Sequence, residues 1–96
     1  MQDNPEVGQL AAASQELLLF LWKDILGTQD IAVESNFFEA GGDSLQMMTL
    51  LFRISQETGV EIDPGTVFDN PTVAQLALVI AQTQHQSAGE MQEGTI

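Results

Sequence analysis

One stretch of the chain concentrates the residues that could do chemistry: Phe37-Phe38-Glu39-Ala40-Gly41-Gly42-Asp43-Ser44-Leu45. Two glycines allow a tight turn and leave the following backbone uncluttered. A helix that begins at Ser44 sets its hydroxyl beside the positive end of the helix dipole, where free N–H groups favour negative charge. A phosphate esterified to Ser44 would be well placed there. Taken alone, Gly-Gly-Asp-Ser is better read as a turn followed by a helix cap, because such turns are common. Other chemistries fare worse. The nucleophile elbow of serine hydrolases needs Gly-x-Ser-x-Gly, but Leu45 follows Ser44 and Gln46 takes the place of the second glycine. The single His, His85, lies in a polar stretch near the C-terminus and reads as a solvated residue, not as a base for Ser44. Asp and Glu are scattered without the Asp-x-Asp-x-Asp-Gly spacing of a calcium loop. With no Cys, neither a disulfide framework nor a thiolate metal site is expected.

The elements around this stretch follow from apolar periodicity. Leu17, Leu21 and Ile25 recur at i, i+4 and i+8 with Leu18 and Trp22 beside them, which predicts a helix over Gln9–Leu26 closed by Gly27. Trp22 is expected to be mostly buried, on the face shared with Leu18 and Ile25. Thr28 to Gly42 is a long connection that Phe37 and Phe38 should pin to the core. A second helix is predicted over Ser44–Thr58, with Asp43 as N-cap, Gln46 completing a capping box and Gly59 as the stop. Asp63-Pro64-Gly65 signals a turn followed by about one helical turn. Thr72 and Gln75 form another capping box, opening a last long helix that carries Val73, Leu76, Ala77 and Ile80 and ends near Gln84. Nothing alternates with period two, so the fold class is all-α, a small bundle with a long first loop. Residues 1–8 and 85–96 read as flexible segments flanking a folded unit over 9–84.

Composition narrows the function classes. The 96 residues make one domain at most. A hydrophobic fraction of 44% is too high for a disordered acidic chain, so a core is expected despite 14 acidic residues against 2 basic ones and a net charge of −12. Nucleic acid is disfavoured as a partner because only Lys23 and Arg53 could neutralise phosphates, and anionic membrane surfaces are disfavoured for the same reason. Basic protein partners are favoured through steering. No secretory leader follows Met1, and the apolar run Leu17–Trp22 is too short to span a bilayer. A small, monomeric, cytoplasmic domain is the expectation.

Taken together, Phe37 through Leu45, Leu21-Trp22 and Ile25-Leu26-Gly27 before it, and Phe68-x-x-Pro71-Thr72 after it resemble the acyl or peptidyl carrier domains of polyketide and nonribosomal peptide synthases. The resemblance covers roughly residues 14–82 and keeps the order and spacing of several motifs, which makes it far more specific than Asp-Ser-Leu alone. It implies a four-helix bundle with a short third helix and no catalysis of its own. It further implies 4′-phosphopantetheine attached to Ser44, with Asp43 and Gly42 beside it as cofactor-binding residues. A phosphopantetheinyl transferase would move the arm from coenzyme A, with Mg²⁺ in the transferase's own site. The terminal thiol would then hold acyl, aminoacyl or peptidyl groups as thioesters for synthase domains of acyltransferase, ketosynthase, adenylation, condensation or thioesterase type. Asp43 stands where many peptidyl carriers have His, whereas Phe37-Phe38-Glu39 and Asn70-Pro71-Thr72 are closer to the peptidyl type, so the cargo class stays open. Residues 44–56 contain no acid and one Arg, unlike the acidic second helix of fatty-acid carriers. The alternative is an acidic helical interaction module without a prosthetic group, in which Ser44 belongs only to a helix cap.

On the second helix, Leu45, Met48 and Phe52 lie at i+1, i+4 and i+8 from Ser44, while Met47, Leu50, Leu51 and Ile54 point to another side. All seven could be core if the helix were apolar most of the way round. The resemblance instead assigns Leu45, Met48 and Phe52 to the surface that meets the transferase and synthase domains, for which Met is well suited.

Overall fold

The predicted periodicities become four helices in a computed structural model, which describes residues 5–94, with side chains over 7–86. They are α1 (Pro5–Leu26), α2 (Ser44–Thr58), α3 (Pro64–Asp69) and α4 (Val73–Gly94). Gly27 and Gly59 follow α1 and α2 at φ 72° and 74°, a left-handed backbone that lets each final turn close on itself. Asp63 caps α3 with Pro64 in its first turn, where a missing N–H costs nothing. At the start of α4 the Gln75 amide N–H donates to Thr72 Oγ1 (3.1 Å), and Thr72 N donates to Gln75 Oε1 (3.3 Å), the reciprocal box read from the sequence. Among the described residues the only β-type pairing is an isolated bridge between Asn36 and Thr72.

α1 lies against both α4 and α2, and α3 against α2. Leu18, Leu21 and Trp22 of α1 are sealed from solvent with Leu50 and Ile54 of α2, Val67 of α3, and Leu76 and Ile80 of α4. Trp22 is fully buried, edge-to-face on Phe37 with ring centroids 5.3 Å apart. Its indole N–H meets no acceptor among the described residues, at a cost of about 1–3 kcal/mol. Ile25, expected on the same face as Trp22, is only half-buried. The long connection is stitched to the start of α4 by two backbone bonds, Phe37 N to Pro71 O (2.8 Å) and Ala74 N to Val33 O (2.9 Å). Phe37 sits fully in the core, whereas Phe38 is half-buried and stacks on exposed Phe68 at 5.0 Å and 8°.

The two long helices outrun their predicted bounds. α1 starts at Pro5 and not at Gln9, and α4 continues to Gly94 and not to about Gln84. Residues 5–8 and 85–94, expected as irregular linker, are therefore helical. Proline is pre-organised for a first helical turn. The stretch Gln82 to Glu93 is rich in Gln and Glu, which propagate a helix without an apolar stripe, so periodicity carries no signal there. Residues 1–4 and 95–96 lie outside the described residues.

The cap of α3 is charged. Asp63 Oδ1 accepts from Thr66 Oγ1 at 2.7 Å and Thr66 N at 2.9 Å. The Thr66 hydroxyl first, then its backbone N–H, hold the Asp63 carboxyl below the usual carboxylate value. A lowered folded-state value means that this cap stabilises the fold above the ordinary carboxylate range and loses that contribution as pH falls through the lowered value. Asp63→Ala should accordingly melt below the parent at neutral pH, and the gap should narrow on acidification. Parallel thermal melts from pH 7 to pH 3 check this, and a gap that widens toward low pH would contradict it.

Candidate functional site

The loop from Phe37 to Asp43 is wound tightly on its own backbone. The Asn36 side-chain oxygen accepts from Phe38 N (2.9 Å) and Glu39 N (3.1 Å), and Ala40 N donates to Asn36 O (2.9 Å). Gly41 N then donates to Phe38 O (3.2 Å) and Gly42 N to Phe37 O (2.9 Å). Gly42 faces the core aromatic directly. A Cβ at that position would lie 2.3 Å from Phe37 Cε2 and 2.8 Å from Phe37 O, closer than any side chain tolerates.

Asp43 next adopts an extended backbone (φ −120°, ψ −178°) and caps α2. Gln46 N donates to Asp43 Oδ1 (2.8 Å), while Asp43 N donates to Gln46 Oε1 (3.1 Å), the capping box read from the sequence. The far side of the same amide reaches α1, with Gln46 Nε2 donating to Ile25 O at 3.3 Å. Two turns on, Arg53 pairs with Asp24 at 2.6 Å and lies over the exposed Phe20 ring, 5.9 Å from its centroid.

Ser44 is the first residue of α2 and is exposed. Its hydroxyl makes no hydrogen bond to another described residue, and the carboxylate beside it, Asp43, is engaged by Gln46 N. The first turn of α2 contains no acid, and the Asp43 carboxylate at the N-cap offsets only part of the dipole there. A group esterified to Ser44 would displace no existing bond and would meet a helix end that favours its phosphate. The residues present thus fit a phosphate-linked arm. What the arrangement offers chemically is an accessible, unactivated hydroxyl. Among the described residues no three His, Asp or Glu side chains converge as a metal site would require.

From Ser44 the exposed side of α2 is apolar. Leu45, Met48 and Phe52 are 77%, 51% and 62% exposed, whereas Met47, Leu50, Leu51 and Ile54 are buried. Met48 and Phe52 border an open groove of about 300 Å³ whose other walls are Leu51, Ser55, Glu61, Ile62 and Pro64. The sequence reading brought together Gly42, Asp43, Ser44 and the α2 stripe. It missed the groove's far wall and the second partner of Gln46, because both depend on packing between segments distant in the chain. A box-forming Gln, unlike Glu, retains a spare donor, and that was the available hint. Among the described residues no helix is long and apolar enough to cross a membrane.

Comparison with known proteins gives a family match, relatives and solved structures of similar fold. A family model described as a phosphopantetheine attachment site matches residues 16–80. Surfactin synthase subunit 1 of Bacillus subtilis (strain 168) is 41% identical over 64 residues, 67% of this chain and 2% of that protein. The chain is thus similar to a small part of a much longer relative. The solution structure of an active-site mutant peptidyl carrier protein superposes with a TM-score of 0.73 at 32% identity, covering 76% of this chain and 81% of that one. A chain in the structure of the phosphopantetheine transferase Sfp with coenzyme A and a peptidyl carrier protein gives 0.70 at 30% identity, covering 72% and 90%.

Gly42→Ala tests the close approach that shapes the turn. Accommodating the new methyl requires Phe37 to shift in a packed core, at a cost of about 1–3 kcal/mol. The variant should melt several degrees below the parent. Unchanged thermal unfolding would show that Phe37 does not hold the turn in this way.

Proposed function

The chain belongs to the phosphopantetheine-attachment family, whose model spans most of its length, and on that premise we propose that Ser44 carries the 4′-phosphopantetheine arm. One observation supports the choice above the others. Ser44 presents an exposed, unengaged hydroxyl at the first residue of a capped helix, with an exposed apolar stripe running away from it. Asp43 holds the first turn of α2 closed and Gly42 admits the Phe37 ring, so both residues fix where that hydroxyl stands. Among the described residues none is hydrogen-bonded to Ser44 as a base, and activation of the hydroxyl falls to the phosphopantetheinyl transferase. When attached, the arm supplies a terminal thiol that holds the cargo as a thioester. The identity to a peptide synthase subunit favours aminoacyl and peptidyl cargo over the acyl cargo of polyketide synthesis.

Leu45, Met48 and Phe52 form the surface that meets partners in turn: first the transferase, then adenylation, condensation and thioesterase domains of a peptide synthase. No observation favours the plain interaction module. The carrier unit is residues 9–84, a reading supported by buried side chains that run from Ser14 to Ala81. The helical residues beyond these bounds act as connections. The site of action is the cytoplasm, where coenzyme A is at hand, and the domain catalyses nothing itself.

Two experiments test these roles. Ser44→Ala should abolish the single phosphopantetheine mass gain on incubation with coenzyme A and a promiscuous transferase, while stability changes by less than about 1 kcal/mol. Loading of the alanine variant would refute the assignment. Met48→Asp should slow loading with little loss of stability, whereas Leu51→Asp buries an unpaired charge and should unfold the domain. Circular-dichroism melts beside intact-mass loading assays check the pair, and equal melting losses would contradict the division of faces.

A further inference from the structure

We infer that Gln46 is a positioning residue for the loading of Ser44, acting through its tie to α1 as well as through the capping box. The inference rests on Ser44 being the residue that is loaded. Two helix ends meet at this one amide. The last carbonyls of α1 and the first N–H groups of α2 have no partners within their own helices. Gln46 Oε1 and N serve the α2 end by pairing with Asp43, and Gln46 Nε2 serves the α1 end by donating to Ile25 O at 3.3 Å. The amide accepts at one atom and donates at the other, which neither a carboxylate, having no donor, nor an ammonium, having no acceptor, can do.

The tie bears on Ser44 because it is the direct polar bond from the first turn of α2 to α1, beside the packing of buried Met47 and of Phe37 on Trp22. The loop before it bonds to its own backbone and to the start of α4. Arg53 pairs with Asp24 two turns further along α2. Gln46 and Arg53 therefore grip consecutive residues of α1 from two points seven residues apart, on one side of α2. Release of the Gln46 grip leaves the first turn of α2, with Ser44 on it, held to α1 by packing without that bond. Of the docking residues, Leu45 shares that turn but Met48 and Phe52 lie further along α2, so the loss falls more on the orientation of the hydroxyl after docking than on docking itself. Orientation of a nucleophile enters the rate of the chemical step.

Gln46→Glu separates the two roles. Glu is a standard capping-box residue and keeps the bond to Asp43 N, but it cannot donate to Ile25 O. Gln46→Met removes both bonds without adding charge. Transferase loading with coenzyme A, followed by intact mass at varied carrier concentration, should show kcat lowered about fivefold in both variants, the weight of one ordinary hydrogen bond. KM for the carrier should stay within about twofold of the parent, since docking and orientation separate in this way. Melting temperature should fall by a few degrees for Gln46→Met and by less for Gln46→Glu, which keeps the capping box. The loss in Gln46→Glu should survive about 0.5 M salt, which screens the added charge. Either variant loading at the parent kcat, a loss confined to KM, or recovery in salt overturns the inference. Ser44→Ala runs beside them. If it is blocked while both Gln46 variants load normally, the positioning role alone fails, and if it loads, the attachment reading fails first.

Discussion

Phe37 is the residue on which the rest of the arrangement hangs. It is fully buried, stands edge-on to Trp22 of α1, and donates its N–H to Pro71 O just before α4. Its carbonyl takes the Gly42 N–H, and its ring occupies the space that any side chain at 42 would need. One side chain thus ties the long loop to the two long helices and fixes the last residue before the α2 cap. A connection of this length has a large conformational entropy to lose. Burying one aromatic ring and satisfying both of its backbone groups offsets that loss at a single point. The stack of Phe38 on Phe68 then carries the same anchoring outward to α3.

α2 has more apolar surface than the bundle can cover. Its buried residues, Met47, Leu50, Leu51 and Ile54, have the i, i+3, i+4, i+7 spacing of a single stripe. At about 100° per residue, Leu45, Met48 and Phe52 project nearly opposite to that stripe, so no rotation of the helix buries both sets. Exposed apolar area of this kind promotes association, and a net charge of −12 opposes it through repulsion between copies. The acids stand at either end of the stripe, Glu39 and Asp43 before it and Glu57, Glu61 and Asp63 after it, with none over 44–56. A partner docking on this face would meet an apolar strip with acids at its flanks, Glu61 among them in the groove wall.

Most of this framework is local, and local features are legible in a sequence. The caps at Asp43 and Thr72, the stops at Gly27 and Gly59, and the core stripes of α1, α2 and α4 follow from residue types at fixed short spacings. The ends of α1 and α4 were not legible because polar helix formers such as Gln84, Gln86 and Glu90 extend a helix without any periodic signal. The bond from Gln46 to Ile25 spans 21 residues, and the groove wall of Ile62 and Pro64 lies across a turn from Met48 and Phe52. Features of that kind depend on how elements dock, which spacing does not encode. The two phenylalanines divide along the same line. Their pinning role is local composition, but only docking decides that Phe37 enters the core and Phe38 stacks at its edge.

The serines whose side chains are described differ in what a bulky ester would cost. Ser14 is buried at 5% exposure, and an anion there would lose its water. Ser35 Oγ accepts from Ala32 N at 2.9 Å and closes a turn in the long loop, a bond that esterification would perturb. Ser55 is half-buried in the groove wall beside Glu61, so a phosphate there would meet a carboxylate. Ser44 has no bond to lose and no water to shed, and its nearest acid, Asp43, is engaged with Gln46 N. The dipole of α2 adds a modest attraction for an anion at that position, about 0.3–1 kcal/mol where such ends are exposed. Modification at Ser44 would consequently leave the native packing as it is, the requirement for a carrier whose cargo changes while its fold does not.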